Sequence, residues 1–222
     1  MTRRNLLAAV PPWTARPAAL EVKRWSIVTI GNLSRNRYWG EPDTKALRGA
    51  ICTCTLISGD GFELLVDPSL SGRDEMAKEL DRRAGLKLSD ISAVFVTHEH
   101  GDHFAGIEHF DRAAWYAAAP VAEILNATKR LTRVLAPAPQ TLLGAVEVNP
   151  TPGHTRSHHS LMFRGGGRRI VAAGDAVATL DFWRERRSYF NAVDPLEAAR
   201  TMARLADAAD IVIPGHDNYF LV

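Results

Sequence analysis

A dense group of potential metal ligands at residues 97–103, which read Thr-His-Glu-His-Gly-Asp-His, constrains this chain more than any other feature. Three imidazoles and one aspartate carboxylate fall within six consecutive positions of this segment. Imidazole nitrogens and carboxylate oxygens are good donors for a borderline metal such as zinc where thiolates are scarce. The segment therefore predicts a metal site.

A short strand is predicted directly before these ligands, because Ile91–Thr97 is rich in β-branched and aromatic residues. In an extended backbone, His98 and His100 lie on the same side. Gly101 permits a sharp turn before the following Asp-His pair, and residues 104–110 are expected to form a short helix. One turn can thus aim two pairs of ligands at two adjacent points.

A single histidine is usually an ordinary surface or core group, and His109 is given that assignment. Four ligand-type residues in six positions are different, because burying them without a metal would leave several polar groups in need of partners. A metal site is therefore favoured over a purely structural role.

Three later strand-like runs also end in a glycine that is followed by a candidate ligand. Residues 146–154 end at His154, residues 169–175 end at Asp175, and residues 211–216 end at His216. Functional groups are commonly mounted where several strand ends meet at one edge of a sheet. We therefore expect these side chains to converge on the 97–103 segment.

Together these motifs resemble those of the metallo-β-lactamase fold hydrolase superfamily. They are HxHxDH at 98–103, Thr-Pro-Gly-His-Thr at 151–155, Ala-Gly-Asp at 173–175, Pro-Gly-His at 214–216 and an early Val-Asp-Pro at 66–68. The combination is far more specific than any one short pattern. The resemblance covers residues 25–222 and leaves residues 1–24 as an N-terminal extension. It implies an α/β (α+β) fold, a four-layer αββα sandwich with a two-metal site on one edge.

The resemblance also implies a ligand set: His98, His100 and His154 for one metal, Asp102, His103 and His216 for the other, and Asp175 between the two. The ions would be divalent, with zinc expected before iron or manganese. Two such ions can share a hydroxide, lower its pKa and polarise the bond that it attacks. Asp102 and Asp175 are thus the expected catalytic carboxylates.

Further residues are expected to support the ligands through hydrogen bonds, because ligating imidazoles usually donate their second N–H to an oxygen acceptor. They are Asp67, Thr97, Thr155 and His158. Ordinary capping or turn chemistry is the alternative interpretation of the two threonines.

The loop at residues 31–41 is polar, basic and aromatic at once, and the resemblance implies that such a loop flanks the metals. The candidate substrate contacts are Arg35, Arg37, Tyr38, Trp39 and Tyr219. The alternative is an ordered surface loop that is packed by its own aromatic side chains.

Attack on an ester, lactone or thioester carbonyl is the first hypothesis for the reaction. Quorum-quenching N-acyl homoserine lactonases resemble residues 151–161, but they carry a catalytic tyrosine three positions after the bridging aspartate, where this chain has Ala178.

Phosphodiester cleavage is the second hypothesis, because the same two metals can stabilise the attacking and leaving oxygens. The chain also resembles the metallo-β-lactamase domain-containing protein 1 group, which is linked to nucleic-acid cleavage. An iron-dependent oxidoreductase and a metal-binding protein without turnover are the remaining alternatives.

Composition fits a single domain, because 222 residues with 46% hydrophobic content can bury a sizeable core. A net charge of +2 gives no argument for a nucleic-acid partner, so a small-molecule substrate is expected.

No apolar run approaches the ~20 residues needed to cross a bilayer, and we expect a cytoplasmic protein without a membrane partner. Assembly into a homo-oligomer is left open. Cys52 and Cys54 are interpreted as small core residues.

Secondary-structure signals outside the motifs are clearest for three strands and two helices. Strands are expected at 25–30, 50–57 and 62–66. A helix at 74–84 ends before a glycine, and a second helix begins at Asp194 with Pro and Glu in its first turn.

Overall fold

The computed structural model describes residues 22–42 and 44–222. The predicted extension at residues 1–24 lies almost wholly outside the described residues, and its boundary stays a prediction. The strands are β1 (Arg24–Thr29), β2 (Cys54–Gly59), β3 (Phe62–Val66), β4 (Ala93–Val96), β5 (Ala114–Ala117), β6 (Ala136–Pro137), β7 (Thr141–Leu142), β8 (Val146–Pro150), β9 (His159–Gly165), β10 (Arg168–Gly174), β11 (Ile211–Pro214) and β12 (Phe220–Leu221). The helices are α1 (Arg73–Ala84), α2 (Ala119–Thr128), α3 (Leu180–Arg184) and α4 (Pro195–Ala208).

The described strands form two six-stranded sheets, in the orders β1-β2-β3-β4-β5-β6 and β12-β11-β10-β9-β8-β7. In the first sheet, β3, β4, β5 and β6 pair in parallel. In the second sheet, β10 and β11 pair in parallel within an otherwise antiparallel arrangement. Parallel pairing brings the carboxyl ends of neighbouring strands to one edge, which is where α/β proteins commonly bind ligands.

An apolar core fills the space between the two sheets. Leu56, Leu64 and Phe95 of the first sheet and Leu161 and Ile170 of the second belong to it, and all are fully buried. The alternation of side chains along each strand directs one face of each sheet into this core. The sheets are therefore the two inner layers of the fold.

Helices cover the outer faces. On the first sheet, α1 lies against β1, and α2 lies against β5 and β6. On the second sheet, Met202 and Leu205 of α4 pack with Val171 and Val212 in a separate apolar cluster. The layers run helix, sheet, sheet, helix, which confirms the predicted αββα sandwich.

The capping and glycine signals in the sequence correctly predicted the two longest helices, α1 and α4. The side chain of Asp194 accepts the N–H of Glu197 at 2.9 Å and caps α4. The α1 helix ends at Gly85, which has the left-handed φ of 67° typical of a helix C-terminus. Among the described residues, none of the helices combines the length and apolar character that a bilayer crossing requires.

Two expectations near the site need correction. Residues 104–110 form a 3-10 turn at Ile107–His109 in place of a short helix, because the N–H of Gly106 bonds to the carbonyl of Pro68 and not to its own helix. The strand expected at 50–57 begins only at Cys54, because the N–H of Thr53 bonds across to the carbonyl of Gly215. In both cases a distant backbone acceptor overrides the local pattern.

Candidate metal centre

The predicted ligands lie in loops that follow the carboxyl ends of strands. His98, His100, Asp102 and His103 follow β4, His154 lies between β8 and β9, Asp175 follows β10, and His216 follows β11. Because β4 belongs to the first sheet and the other strands to the second, the site spans the edge where the two sheets meet.

The first group of potential ligand atoms comes from His98, His100, His154 and Asp175, and these atoms lie within 4.8 Å of one another. The Nδ1 atom of His100 is 3.1 Å from Nε2 of His98 and 2.9 Å from Nε2 of His154. The Oδ2 atom of Asp175 is 3.2 Å from Nε2 of His154. The donor atoms thus converge on one point.

The second group comes from Asp102, His103 and His216, whose ligand atoms also lie within 4.8 Å of one another. The Nε2 atom of His216 is 3.5 Å from Oδ2 of Asp102. The Oδ1 atom of Asp175 is 3.1 Å from Nε2 of His216 and 3.3 Å from Nε2 of His103. One oxygen of Asp175 therefore faces each group.

The chemistry of the donor set fits divalent cations. Burial alone would raise the pKa of Asp175, but the imidazoles of His216, His103 and His154 hold it well below its usual range. The Oδ1 atom of Asp175 and the Nε2 atom of His103 are buried without a hydrogen-bond partner in the described part of the chain. Such orphaned atoms are costly, and a cation between the two groups would satisfy them.

Burial also favours the neutral imidazole, which is the form that binds metals. It lowers the pKa of His98 well below its usual range and that of His154 to about 4. At His216 burial acts in the same direction, but the carboxylate of Asp175 outweighs it and raises the pKa.

Asp67 fixes the orientation of His103. Its Oδ2 atom lies 2.9 Å from Nδ1 of His103 and accepts the hydroxyl of Thr97 at 2.8 Å, while its Oδ1 atom accepts the N–H of Thr97 at 2.8 Å. Asp67 holds a φ of 52°, which is uncommon for a residue other than glycine. The Nε2 atom of His103 is therefore the nitrogen presented to the site.

Backbone carbonyls orient His216 in the same way. Its Nδ1 atom lies 3.1 Å from the carbonyl oxygen of Asn32 and 3.0 Å from that of Ile51. These acceptors were missed by the sequence analysis, because a backbone carbonyl more than a hundred residues away leaves no mark in a motif.

Thr155 and His158, the other two predicted supporting residues, make different contacts. The hydroxyl of Thr155 donates to Oε2 of Glu99 at 3.1 Å and not to a candidate ligand. The ring of His158 is fully buried 4.8 Å from that of His98, and its Nδ1 atom lies 2.8 Å from the hydroxyl of Thr151. Glu99 itself was missed, because nothing in the pattern distinguishes the residue between two histidines.

The Cys52 thiol forms a third group of ligand-type atoms with Asp67 and His103. The oxygens of Asp67 are already occupied by Thr97 and His103, and burial raises the pKa of the Cys52 thiol to about 12. Because the thiolate is the form that binds metals, this group does not fit a metal site. Cys52 and Cys54 are both buried and unpaired.

The loop with the candidate substrate contacts is organised by a buried carboxylate that the sequence analysis missed. Glu41 accepts the N–H of Asn36 at 2.7 Å, the Lys45 ammonium at 2.7 Å and the Arg48 guanidinium at 2.5 Å. The guanidinium of Arg35 donates to the carbonyl of Lys45 at 3.0 Å. The loop is thus ordered largely by its own contacts.

The remaining candidate substrate contacts are dispersed. Arg37 and Trp39 are exposed, and Tyr38 is half-buried. Tyr219 packs edge-on against Trp25 with ring centroids 5.2 Å apart. Within the described residues, none of these four side chains contacts a candidate ligand, so their role stays a prediction.

The fold and the site define a class of protein that sequence comparison also identifies. A profile of the Metallo-beta-lactamase superfamily matches residues 47–216, and the chain belongs to this superfamily. It is accordingly a hydrolase, from a superfamily whose members typically bind divalent metals.

Individual relatives are distant. The chain is 29% identical to "Metallo-beta-lactamase domain-containing protein 1" of Xenopus laevis over 181 residues, which cover 76% of this chain and 71% of that protein. It is 34% identical to a hydroxyacylglutathione hydrolase of Acidiphilium cryptum over 129 residues, 56% of this chain and 49% of the relative. The chain thus spans about half the length of the latter.

Solved structures share the fold. AiiA of B. thuringiensis, with N-decanoyl-L-homoserine bound at its active site, is similar with a TM-score of 0.68 and 18% identity. The match covers 89% of this chain and 94% of AiiA. At this level of identity the similarity establishes the fold alone.

Proposed function

We propose that this chain is a two-metal hydrolase that cleaves an ester, lactone or thioester at its carbonyl carbon. The observation that carries the proposal is the placement of Asp175, whose two carboxylate oxygens face the two groups of ligand atoms, 3.2 Å from His154 and 3.1 Å from His216. A carboxylate in this position can be shared between two cations and hold them at a fixed separation.

The first cation would be held by His98, His100 and His154, the second by Asp102, His103 and His216, and Asp175 would be shared. When bound, two such ions supply an acidified water and a positive charge that polarises the carbonyl. Zinc fits this set best, since its donors are mainly imidazole nitrogens with carboxylate oxygens.

The protein itself contributes orientation. The carboxylate of Asp67 accepts the Nδ1–H of His103, and the carbonyls of Asn32 and Ile51 accept the Nδ1–H of His216, so that each Nε2 lone pair points inward. Both rings are buried, which keeps bulk water away from this side of the site.

Access is from the opposite side. His100 and Asp102 are half-buried, whereas His98, His103 and His154 are almost fully buried. A substrate therefore approaches past His100 and Asp102. We assign to Asp102 the relay of a proton from the attacking water to the leaving oxygen, because its side chain is the partly exposed carboxylate among the candidate ligands.

Elemental analysis of the purified protein, together with a panel of chromogenic carboxyl esters, lactones, thioesters and phosphodiesters, tests this function. The protein is assayed as purified, after chelation, and after Zn²⁺ is restored, with Asp175→Ala as the inactive control. Two metals per chain and preferential cleavage of carbonyl substrates support the proposal. Two metals with a preference for phosphodiesters would show that the substrate is a phosphodiester and not a carbonyl compound. A single iron without hydrolysis would point to an oxidoreductase.

A further inference from the structure

We propose that Glu99 is a positioning residue that fastens together the two segments carrying the ligands of the first metal. The inference rests on the proposed function and adds to it a residue whose side chain hydrogen-bonds to residues beside the ligands, Thr155 and Ser157. The Oε2 atom of Glu99 accepts the hydroxyl of Ser157 at 2.6 Å and that of Thr155 at 3.1 Å. These two hydroxyls are themselves 3.2 Å apart.

The three histidines of the first group lie on two segments that belong to different sheets. His98 and His100 follow β4 of the first sheet, whereas His154 precedes β9 of the second. The separation of 2.9 Å between Nδ1 of His100 and Nε2 of His154 is therefore set by how the two segments meet. A small relative displacement would separate donor atoms that must bind one ion.

Apart from contacts among the histidine rings, hydrogen bonds join these segments near the ligands in two places. One is a backbone hydrogen bond from the N–H of His159 to the carbonyl of Thr97 at 3.0 Å. The other is the Glu99 carboxylate, which lies in sequence between His98 and His100 and bonds to the residues that follow His154. The carboxylate therefore adds a side-chain connection to the backbone bond between the two segments.

The hydrogen bonds of Glu99 with Thr155 and Ser157 are suited to holding the two segments together. Hydrogen bonds from a hydroxyl to a carboxylate are shorter and stronger than those between neutral groups. Thr155 and Ser157 are buried, and Glu99 is half-buried, so the bonds are partly protected from water. Groups that hydrogen-bond directly to metal-binding residues typically contribute about 10- to 100-fold to metal affinity. Glu99 acts one contact further away, so we expect its contribution to lie at the lower end of that range or below it.

Three variants of Glu99 and its partners test the proposal by metal affinity, which is measured by competition with a chromogenic chelator and needs no substrate. Glu99→Ala removes the link, and we expect the affinity for the first metal to fall by up to about 10-fold. Glu99→Gln retains an acceptor oxygen, and we expect most of the affinity to return. Ser157→Ala combined with Thr155→Val removes both donors and is expected to match Glu99→Ala.

Glu108→Ala is the matched control. Glu108 also accepts bonds from one threonine, namely the N–H of Thr132 at 2.8 Å and its hydroxyl, but it joins no ligand-bearing segments. We expect the affinity of this variant to equal that of the wild type. Full metal affinity in Glu99→Ala, or equal losses in Glu99→Ala and Glu108→Ala, would overturn the inference.

The design separates this inference from the function on which it rests. A wild-type protein that binds no metal contradicts the proposed function, whereas wild-type binding that is unchanged in Glu99→Ala contradicts only the role of Glu99. If Glu99→Ala does not fold, the Ser157→Ala, Thr155→Val double variant decides, because it leaves the glutamate in place. Full affinity in that folded double variant would overturn the inference.

Discussion

The Nδ1 atom of His103 lies 2.9 Å from the Oδ2 atom of Asp67, and both side chains are almost completely buried. This contact fixes which imidazole nitrogen faces the second metal position. Asp67→Asn keeps the shape of the side chain but removes its charge. We expect metal affinity to fall by about 10- to 100-fold, and metal retained after dialysis against graded chelator measures the loss.

Asp60→Asn is the control for this substitution, because Asp60 is an exposed turn residue whose ion pair among residues 22–42 and 44–222 is with Lys23. Exposed ion pairs contribute little, so the metal content of this variant should equal that of the wild type. Equal metal retention in the Asp67 and Asp60 variants would show that the contact with His103 has no part in metal binding.

Removal of a ligand should abolish turnover without unfolding the chain. His100 is half-buried, and loss of the Asp175 carboxylate removes the group that raises the pKa of His216, so that burial then favours a neutral ring there. We expect His100→Ala and Asp175→Ala each to lose at least about 100-fold in kcat, since a lost ligand costs more than a lost partner of a ligand. Activity assays with circular dichroism as the folding control check this, and retained turnover in either variant would contradict the mechanism.

The sequence predicted the site better than it predicted the surroundings of the site. The segments ending at His154, Asp175 and His216 could be found because each combines a strand pattern, a glycine and a ligand-type residue. Their convergence follows from topology, since strand ends at one edge of a sandwich must meet. The four layers were predicted from the resemblance to the metallo-β-lactamase fold, and the two sheets with helices on their outer faces confirm them.

What could not be predicted depends on contacts between residues that are distant in sequence. Glu41 gives no local sign that it will be buried against Asn36, Lys45 and Arg48, and Glu99 gives no sign that Ser157 will face it. Hydrogen bonds of this kind depend on how segments pack in three dimensions, and periodicity carries no information on them. The short helix expected at 104–110 is limited to the 3-10 helix Ile107–His109 for the same reason.

Gly153 should be intolerant of any side chain. Its φ is 134°, and a Cβ atom there would lie 2.4 Å from the Cα atom of Ala198 in α4. Backbone strain and overpacking together predict that Gly153→Ala lowers the free energy of unfolding by about 2–5 kcal/mol. Urea denaturation measures the loss, with Gly166→Ala as the control.

Gly166 also has a positive φ, of 60°, but a Cβ atom there would meet no atom within 4 Å. Its substitution should therefore cost only the backbone strain, about 1–2 kcal/mol. Equal losses at the two glycines would show that the contact between Gly153 and Ala198 does not restrict the turn before His154.

The loop around Glu41 should loosen in acid. The guanidinium of Arg48, with Lys45 and the N–H of Asn36, lowers the pKa of Glu41 from 4.5 to about 2. Because the folded pKa lies below the ordinary value, the ordering that the carboxylate supplies is complete above about pH 4.5 and is lost as the pH falls toward 2. Hydrogen exchange of peptides from residues 36–48, corrected for intrinsic rates, should show falling protection across this range. Glu41→Gln does not titrate and should show low protection that is independent of pH, whereas an equal acid response in both proteins would assign the change to other groups.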